Sequence, residues 1–256
     1  MSGLPSPGAA TASTIGRRIE GGDLTVNATR RPATYPVVRV HCAEVPASLP
    51  AGTVARWIRD LPPPQASRLA RRLTQGTGME SLTVLALLAS LRPACRLPSI
   101  SRLQWTDGGK PHFPRGPAFS LTHSRRFAAC AVAPHGLSIG IDIEPADRAR
   151  AAAVRLVATA AEQSALDDGS LTPTGLWTAK EAVLKAAGAG LSEIGNVAIR
   201  DRRARFAGID YCWRHFRPRG GLLLAIATRG RLPAVSIDWP PPHAIFGRPP
   251  TTRKNS

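Results

Sequence analysis

The six residues Ile139-Gly140-Ile141-Asp142-Ile143-Glu144 constrain the fold of this chain more than any other stretch. Isoleucines alternate with other residues between Gly136 and Pro145, which is the period of a β-strand bounded by turn formers. Residues two apart in a strand share a face, so Asp142 and Glu144 project side by side while Ile141 and Ile143 enter a core. Two neighbouring carboxylates repel each other unless a proton or a cation lies between them. The pair therefore has two readings. It is either a pair of solvated acids on a strand leaving the core, or a set of oxygen ligands for a hard divalent cation.

The chain around this strand has 256 residues, enough for one large domain or two small ones. Residues 1–33 are rich in Gly, Pro, Ser, Thr and Ala and predict a flexible N-terminal extension. Pro-rich, basic residues 240–256 predict a second loose tail. Between these ends the pattern predicts a strand at 37–42 and helices at 51–61, 65–73 and 79–91. Short strands follow at 103–105 and 127–133, then helices at 149–157, 161–166 and 175–187. Thr172 or Thr174 offers an N-cap for the last helix, and Gly188-Ala189-Gly190 stops it. Strands at 197–200, 209–213, 222–227 and 234–239 complete the pattern. Without a regular β-α-β alternation the fold class is α+β rather than a doubly wound sheet.

Composition narrows the partners. No apolar run reaches the roughly eighteen residues of a membrane span, and no apolar segment marks a secretory signal at the N-terminus. Cys42, Cys95, Cys130 and Cys212 are widely spaced, which predicts free thiols in a reducing cytoplasm rather than a zinc site. The net charge of +17 favours anionic partners: nucleic acid, an anionic membrane, a phosphorylated cofactor or an acidic protein. A basic nucleic-acid-binding protein is the alternative that charge alone supports. No zinc-finger or helix-turn-helix motif accompanies the charge, and aromatic residues at 5% are too sparse for base stacking. Nearly all the basic residues are Arg. Lysine is confined to Lys110, Lys180, Lys185 and Lys254, and in such a chain it marks places where a compact ammonium suits better than a guanidinium.

Two further clusters carry chemistry. On the helix at 175–187, Trp177, Glu181 and Lys185 recur every four residues and share one face. They make either a packed Trp with a surface ion pair, or the wall of a phosphate site to which Glu181 brings a third acid. Thr122-His123-Ser124 follows a strand-like stretch, where hydroxyl, imidazole and backbone N–H groups hold phosphate oxygens or satisfy a local turn. No G-x-S-x-G elbow accompanies the serine and adjacent residues seldom face each other, so the cluster does not point to a hydrolase triad. Lys110, between Gly109 and Pro111, reads on its own as a turn lysine.

Taken in order, G-K-P at 109–111, F-S-L-T-H-S at 119–124, I-G-I-D-I-E at 139–144 and W-T-A-K-E-A-V-L-K-A-A-G-A-G-L at 177–191 closely resemble the 4'-phosphopantetheinyl transferase superfamily. The length resembles the large, monomeric, surfactin-synthetase-activating type. The resemblance implies two similar α+β halves in a pseudo-twofold arrangement, residues 34–136 and 137–239, with the active site in the cleft between them. It implies Mg2+-dependent transfer of the phosphopantetheine arm of coenzyme A to a serine of an apo acyl or peptidyl carrier protein, releasing adenosine 3',5'-bisphosphate. By position Asp142, Glu144 and Glu181 match the metal ligands, and Glu181 matches the general base. Lys185 matches the lysine that neutralises phosphate and leaving-group charge, while Lys110, Thr122 and His123 match coenzyme A contacts. The resemblance implies neither a nucleic-acid nor a membrane partner. A non-catalytic paralogue that only binds carrier proteins would share the fold, but the acids and Lys185 are all in place. Three departures stand out: Ser120 where the family usually has Asn, Thr122 where Ser is common, and Glu80 near a position that often carries Arg for the 3'-phosphate. Arg68, Arg71 and Arg72 are the nearby basic residues that can take over that last role.

Overall fold

Strands buried on both faces set the layering of the molecule. The computed structural model describes residues 37–106, 109–124, 126–148 and 151–247, so the expected extension at 1–33, the end of the expected tail and the first two residues of the helix expected at 149–157 lie outside the described residues. The elements in chain order are β1 (Val37–Glu44), α1 (Ala51–Arg59), α2 (Pro63–Thr74), α3 (Met79–Cys95), β2 (Gln104–Trp105), β3 (Pro111–His112), β4 (Phe119–Ser124) and β5 (Phe127–Val132). They continue with β6 (Gly140–Pro145), α4 (Ala151–Leu156), α5 (Ala160–Asp167), α6 (Pro173–Ala187), β7 (Ala198–Arg200), β8 (Arg203–Phe206), β9 (Ile209–Phe216), β10 (Leu222–Arg229), β11 (Ala234–Asp238) and α7 (Pro242–Phe246). This is a mixed α+β fold with several sheets, as the sequence pattern predicts. The described residues form one compact unit.

One sheet runs β11-β1-β5-β4 and a second runs β6-β10-β9-β8-β7, with β2 and β3 as a small separate ladder. Alternation along the strands sorts their side chains into three cores. Ala128, Cys130 and Val132 of β5 face α3, whose Leu82, Leu87, Leu88 and Leu91 are buried against the first sheet. Ala129 and Ala131, with Val38 and Val40 of β1, meet Ile141 and Ile143 of β6 and Leu224 and Ile226 of β10. Ala225 and Ala227 of β10 turn the other way, under Leu176, Ala179 and Val183 of α6. The order is thus helix, sheet, sheet, helix. It explains why β5 and β10 read as continuous apolar runs rather than alternating ones.

Several expectations change at this level. β11, placed by sequence with the second group of strands, pairs in parallel with β1 from Val37↔Ala234 to His41↔Asp238 and so completes the first sheet. The expected loose tail contains α7, whose Ile245 and Phe246 are buried in the α3 core. Pro241 and Pro242, which read as signs of irregular chain, instead open this helix, because Pro lacks the N–H that the first turn cannot use. β8 was not expected; it is short and flanked by Asp201 and Ala207 at positive φ, so its turns carry no Gly-Asn signature on the non-Gly side. All four cysteines are free, with Cys42 and Cys130 buried. Among the described residues no helix is long and apolar enough to cross a membrane.

α6 begins and ends where its sequence dictates. Thr172 caps it by accepting a hydrogen bond from the Gly175 N–H at 3.1 Å, Pro173 occupies the first turn, and Gly188 closes it at φ 77°. The helix lies directly on β6 at Gly140. A Cβ there would stand 2.0 Å from the Ala182 carbonyl oxygen and 2.3 Å from the Ala186 nitrogen. Only glycine permits this approach, which brings Asp142 of the strand under the C-terminal half of the helix. Gly140→Ala is therefore expected to cost about 3 kcal/mol through overpacking against backbone that cannot yield. Urea unfolding of the two proteins checks this, and equal midpoints would contradict it.

Candidate active site

The site is assembled where two sheet edges meet beneath one helix. β4 ends the first sheet and β6 ends the second, and neither donates its free edge to further backbone pairing in those sheets. Side chains join them instead. Ser120 Oγ accepts from the Ile141 N–H at 3.1 Å, Thr122 Oγ1 donates to Asp142 Oδ1 at 2.9 Å, and Ser124 Oγ donates to Glu144 Oε2. Hydroxyls at every second residue of β4 share one face and match the register of β6. This ladder also satisfies polar groups that an open sheet edge would leave bare.

Asp142 and Glu144 are consequently not solvated acids. They are 4% and 5% exposed, so the carboxylate face of β6 is covered as completely as its isoleucine face. Asp142 Oδ1 accepts from Lys185 Nζ at 2.7 Å, whereas Oδ2 is buried with no hydrogen-bond partner. Burial pushes the Asp142 carboxyl up, to about 6, against the opposing pull of the Lys185 ammonium, and the nearby Glu181 carboxylate adds to the rise. Burial alone would lower Lys185, but the carboxylates of Asp142 and Glu181 outweigh it and hold the ammonium above its ordinary value. Lys185 is therefore already charged as Asp142 ionises.

Trp177, Glu181 and Lys185 do share a face of α6. The Trp177 indole N–H donates to Glu181 Oε1 at 2.5 Å, and Glu181 Oε2 lies 3.4 Å from Lys185 Nζ. Lys185 Nζ also lies 3.2 Å from Thr122 Oγ1. One ammonium thus touches residues from β4, β6 and α6. Glu144 is engaged separately, by Ser124 and by Arg148 Nη1, which donates to both of its carboxylate oxygens.

Thr122 and His123, paired as phosphate contacts by the resemblance, are separated by strand alternation. Thr122 is buried in the carboxylate cluster, while His123 points to the opposite side of β4. There it lines a cavity of about 320 Å³ together with Arg68 and Arg72, which are four residues apart on α2. Lys110 Nζ donates to the Lys185 carbonyl at 2.6 Å, a C-terminal carbonyl of α6 that also accepts from the Gly188 N–H at 3.3 Å. Burial lowers its ammonium below the ordinary value. Lys110 and Lys185 both line a second cavity, of about 310 Å³, and the two cavities share Gly109, Pro111 and Leu121 in their walls.

Oxygen ligands without Cys or His suit Mg2+, and the unpartnered Asp142 Oδ2 is the kind of buried atom whose missing partner calls for an ion or a water. The donor chemistry fits a hard cation. Among the described residues, however, no three acidic, His or Cys side chains converge as a metal cage. Asp142 is joined to Glu181 through Lys185, while Glu144 is paired with Arg148. Sequence reasoning names Ser120 and Ser124 without their contacts to β6, and it misses Arg148. The hydroxyls at 120, 122 and 124 were a visible signal of period two, whereas Arg148 carried none.

The arrangement sets a fixed ammonium and buried acids beside a cavity lined by Lys110 and Lys185, next to a second one lined by Arg68, Arg72 and His123. Residues 138–218 match the family model of the 4'-phosphopantetheinyl transferase superfamily. The matched segment contains Asp142, Glu144, Glu181 and Lys185, and it supports phosphopantetheine transfer in general terms. A comparison with curated proteins finds no match.

The raised Asp142 carboxyl has a measurable sign. The folded chain holds this proton more tightly than the unfolded chain, so the group's contribution to stability is full below about pH 4 and is lost as pH rises through about 6. Asp142→Asn lacks that loss. Its stability relative to the parent is expected to increase between pH 4 and pH 7, by roughly 1–3 kcal/mol. Urea titrations across this range check it; a pH-independent difference would contradict the burial of an ionised Asp142.

Proposed function

We propose that this chain is a Mg2+-dependent 4'-phosphopantetheinyl transferase of the large, surfactin-synthetase-activating type. It takes the phosphopantetheine arm of coenzyme A and attaches it to a serine of an apo acyl or peptidyl carrier protein. The observation that carries this reading is the Asp142–Lys185–Glu181 cluster, built from β6 and α6 within residues 138–218, whose Lys185 lines one cavity with Lys110, beside a second cavity lined by Arg68 and Arg72.

In the proposed reaction the carrier serine oxygen bonds to the phosphorus that bears the pantetheine arm. The pyrophosphate P–O bond breaks, and adenosine 3',5'-bisphosphate leaves. Such a displacement asks the protein chiefly for positioning and for neutralising charge. Asp142, Glu144 and Glu181 would supply oxygen ligands to Mg2+, which when bound contributes Lewis-acid stabilisation of the pyrophosphate. Lys185 holds a permanent positive charge beside that position, suited to the developing charge on the leaving phosphate. Glu181, oriented by the Trp177 indole, is the acceptor for the serine proton. Lys110 serves from behind, by holding the carbonyl of Lys185 and with it the end of α6.

The departure at Glu80 is compensated on α2. His123, Arg68 and Arg72 line one cavity and offer a double guanidinium grip for the 3'-phosphate and adenylate end. The pyrophosphate would then lie toward Lys185, through the cavity that shares Gly109, Pro111 and Leu121.

Incubation with coenzyme A, Mg2+ and a panel of apo carrier proteins is expected to add one phosphopantetheine mass to the carrier. No gain on any acyl or peptidyl carrier would remove the reading. Asp142→Ala should abolish the transfer, and Lys185→Ala should lower kcat by roughly ten- to a thousandfold. Arg68→Ala and Arg72→Ala are each expected to raise KM for coenzyme A about tenfold, with a smaller change in kcat, as loss of a charge-assisted phosphate contact implies. Unchanged KM in both would place the 3'-phosphate elsewhere.

A further inference from the structure

The two strand carboxylates are neutralised by cations in different ways, and the difference has a consequence for metal binding. Lys185 approaches Asp142 from one side, with its contact on Oδ1, and leaves Oδ2 without a hydrogen bond. Arg148 instead spans Glu144. Its Nη1 donates to Oε1 at 2.5 Å and also to Oε2, and it reaches Ser124 Oγ at 3.0 Å. A metal could share Asp142 with Lys185, because an oxygen remains. At Glu144 a metal would meet lone pairs already directed at a guanidinium, and a second cation beside the first.

The backbone of Arg148 is tied down although its head group can leave. Thr174 Oγ1, in the first turn of α6, donates to the Arg148 carbonyl at 2.6 Å. The side chain is 29% exposed, against 7% for Glu144, so the guanidinium has a route to solvent that the carboxylate lacks. The anchor is also the start of the helix that carries Glu181 and Lys185.

We propose that Arg148 is a tethered internal cation that competes with a divalent metal for Glu144, and so sets the metal concentration the site requires. This rests on the reading of Asp142 and Glu144 as metal ligands. When a divalent ion takes a Glu144 oxygen, the guanidinium swings outward about a fixed backbone. The metal then binds at the cost of one charge-assisted contact. Arg148 acts here as a specificity-determining residue, since it holds off cations too weakly charged to displace it.

The test is a Mn2+ titration of the full chain, without coenzyme A or carrier, followed by the electron paramagnetic resonance signal of free Mn2+. Arg148→Gln is expected to bind Mn2+ roughly tenfold more tightly than the parent, the size of one lost charge-assisted competitor. Arg148→Lys, which keeps a positive charge on a shorter side chain, should fall between them, and it keeps the proposal testable if the Gln variant does not fold. Arg126→Gln, which removes an exposed contact to Glu44, should match the parent. Equal or weaker Mn2+ binding in both Arg148 variants, with the parent still binding, overturns the competition but leaves the metal reading intact. Absence of Mn2+ binding in the parent and in every variant overturns both.

Discussion

The structure depends on one ammonium. Lys185 Nζ meets Asp142, Thr122 and Glu181, residues carried by β6, β4 and α6. Together they join β4 and β6, which backbone pairing leaves in separate sheets, to the helix above them. A buried acid is costly unless it is paired and hydrogen-bonded, and Asp142 is only half satisfied, since Oδ2 has no partner. A purely structural role would be served better by an apolar pair of similar volume. Retaining a buried carboxylate with an idle oxygen beside a permanent cation is the arrangement expected of a site that binds something else.

The layers exist to hold that meeting point still. α3 and α6 cover the outer faces of two sheets whose inner faces share one core of β-branched and small residues. This leaves β4 and β6 as sheet edges side by side, joined through Ser120, Thr122 and Ser124 rather than through backbone pairing. Gly140 lets the helix touch the strand, and Lys110 and Gly188 fix where the helix ends. His123 and Arg72, on the far side of β4, then belong to a cavity that continues toward Lys185.

Much of this was legible in the sequence. Alternation through 139–144 gave the right faces for Asp142 and Glu144, and a period of four put Trp177, Glu181 and Lys185 together. What alternation cannot say is what covers a face. The acids looked as free as any strand-end pair until the β4 hydroxyls came down on them. Alternation also separates Thr122 from His123, a deduction open to sequence reading that family order obscured. Other features left no local mark. The β1–β11 pairing joins residues almost the whole described chain apart, and the α7 helix hides behind prolines. Arg148 is one arginine in a chain full of them, distinguished only by where Thr174 holds its carbonyl.

The most direct test of the account is where a divalent cation sits. Crystals grown with Mn2+ and coenzyme A can be measured near the manganese absorption edge, so that the anomalous difference map shows only the metal. The account predicts a peak within ligand distance of Asp142 Oδ2, with Lys185 still on Oδ1 and the phosphates of coenzyme A on the far side of the ion. A peak at another place in the fold, or coenzyme A bound in its cavities with no metal at Asp142, would contradict it.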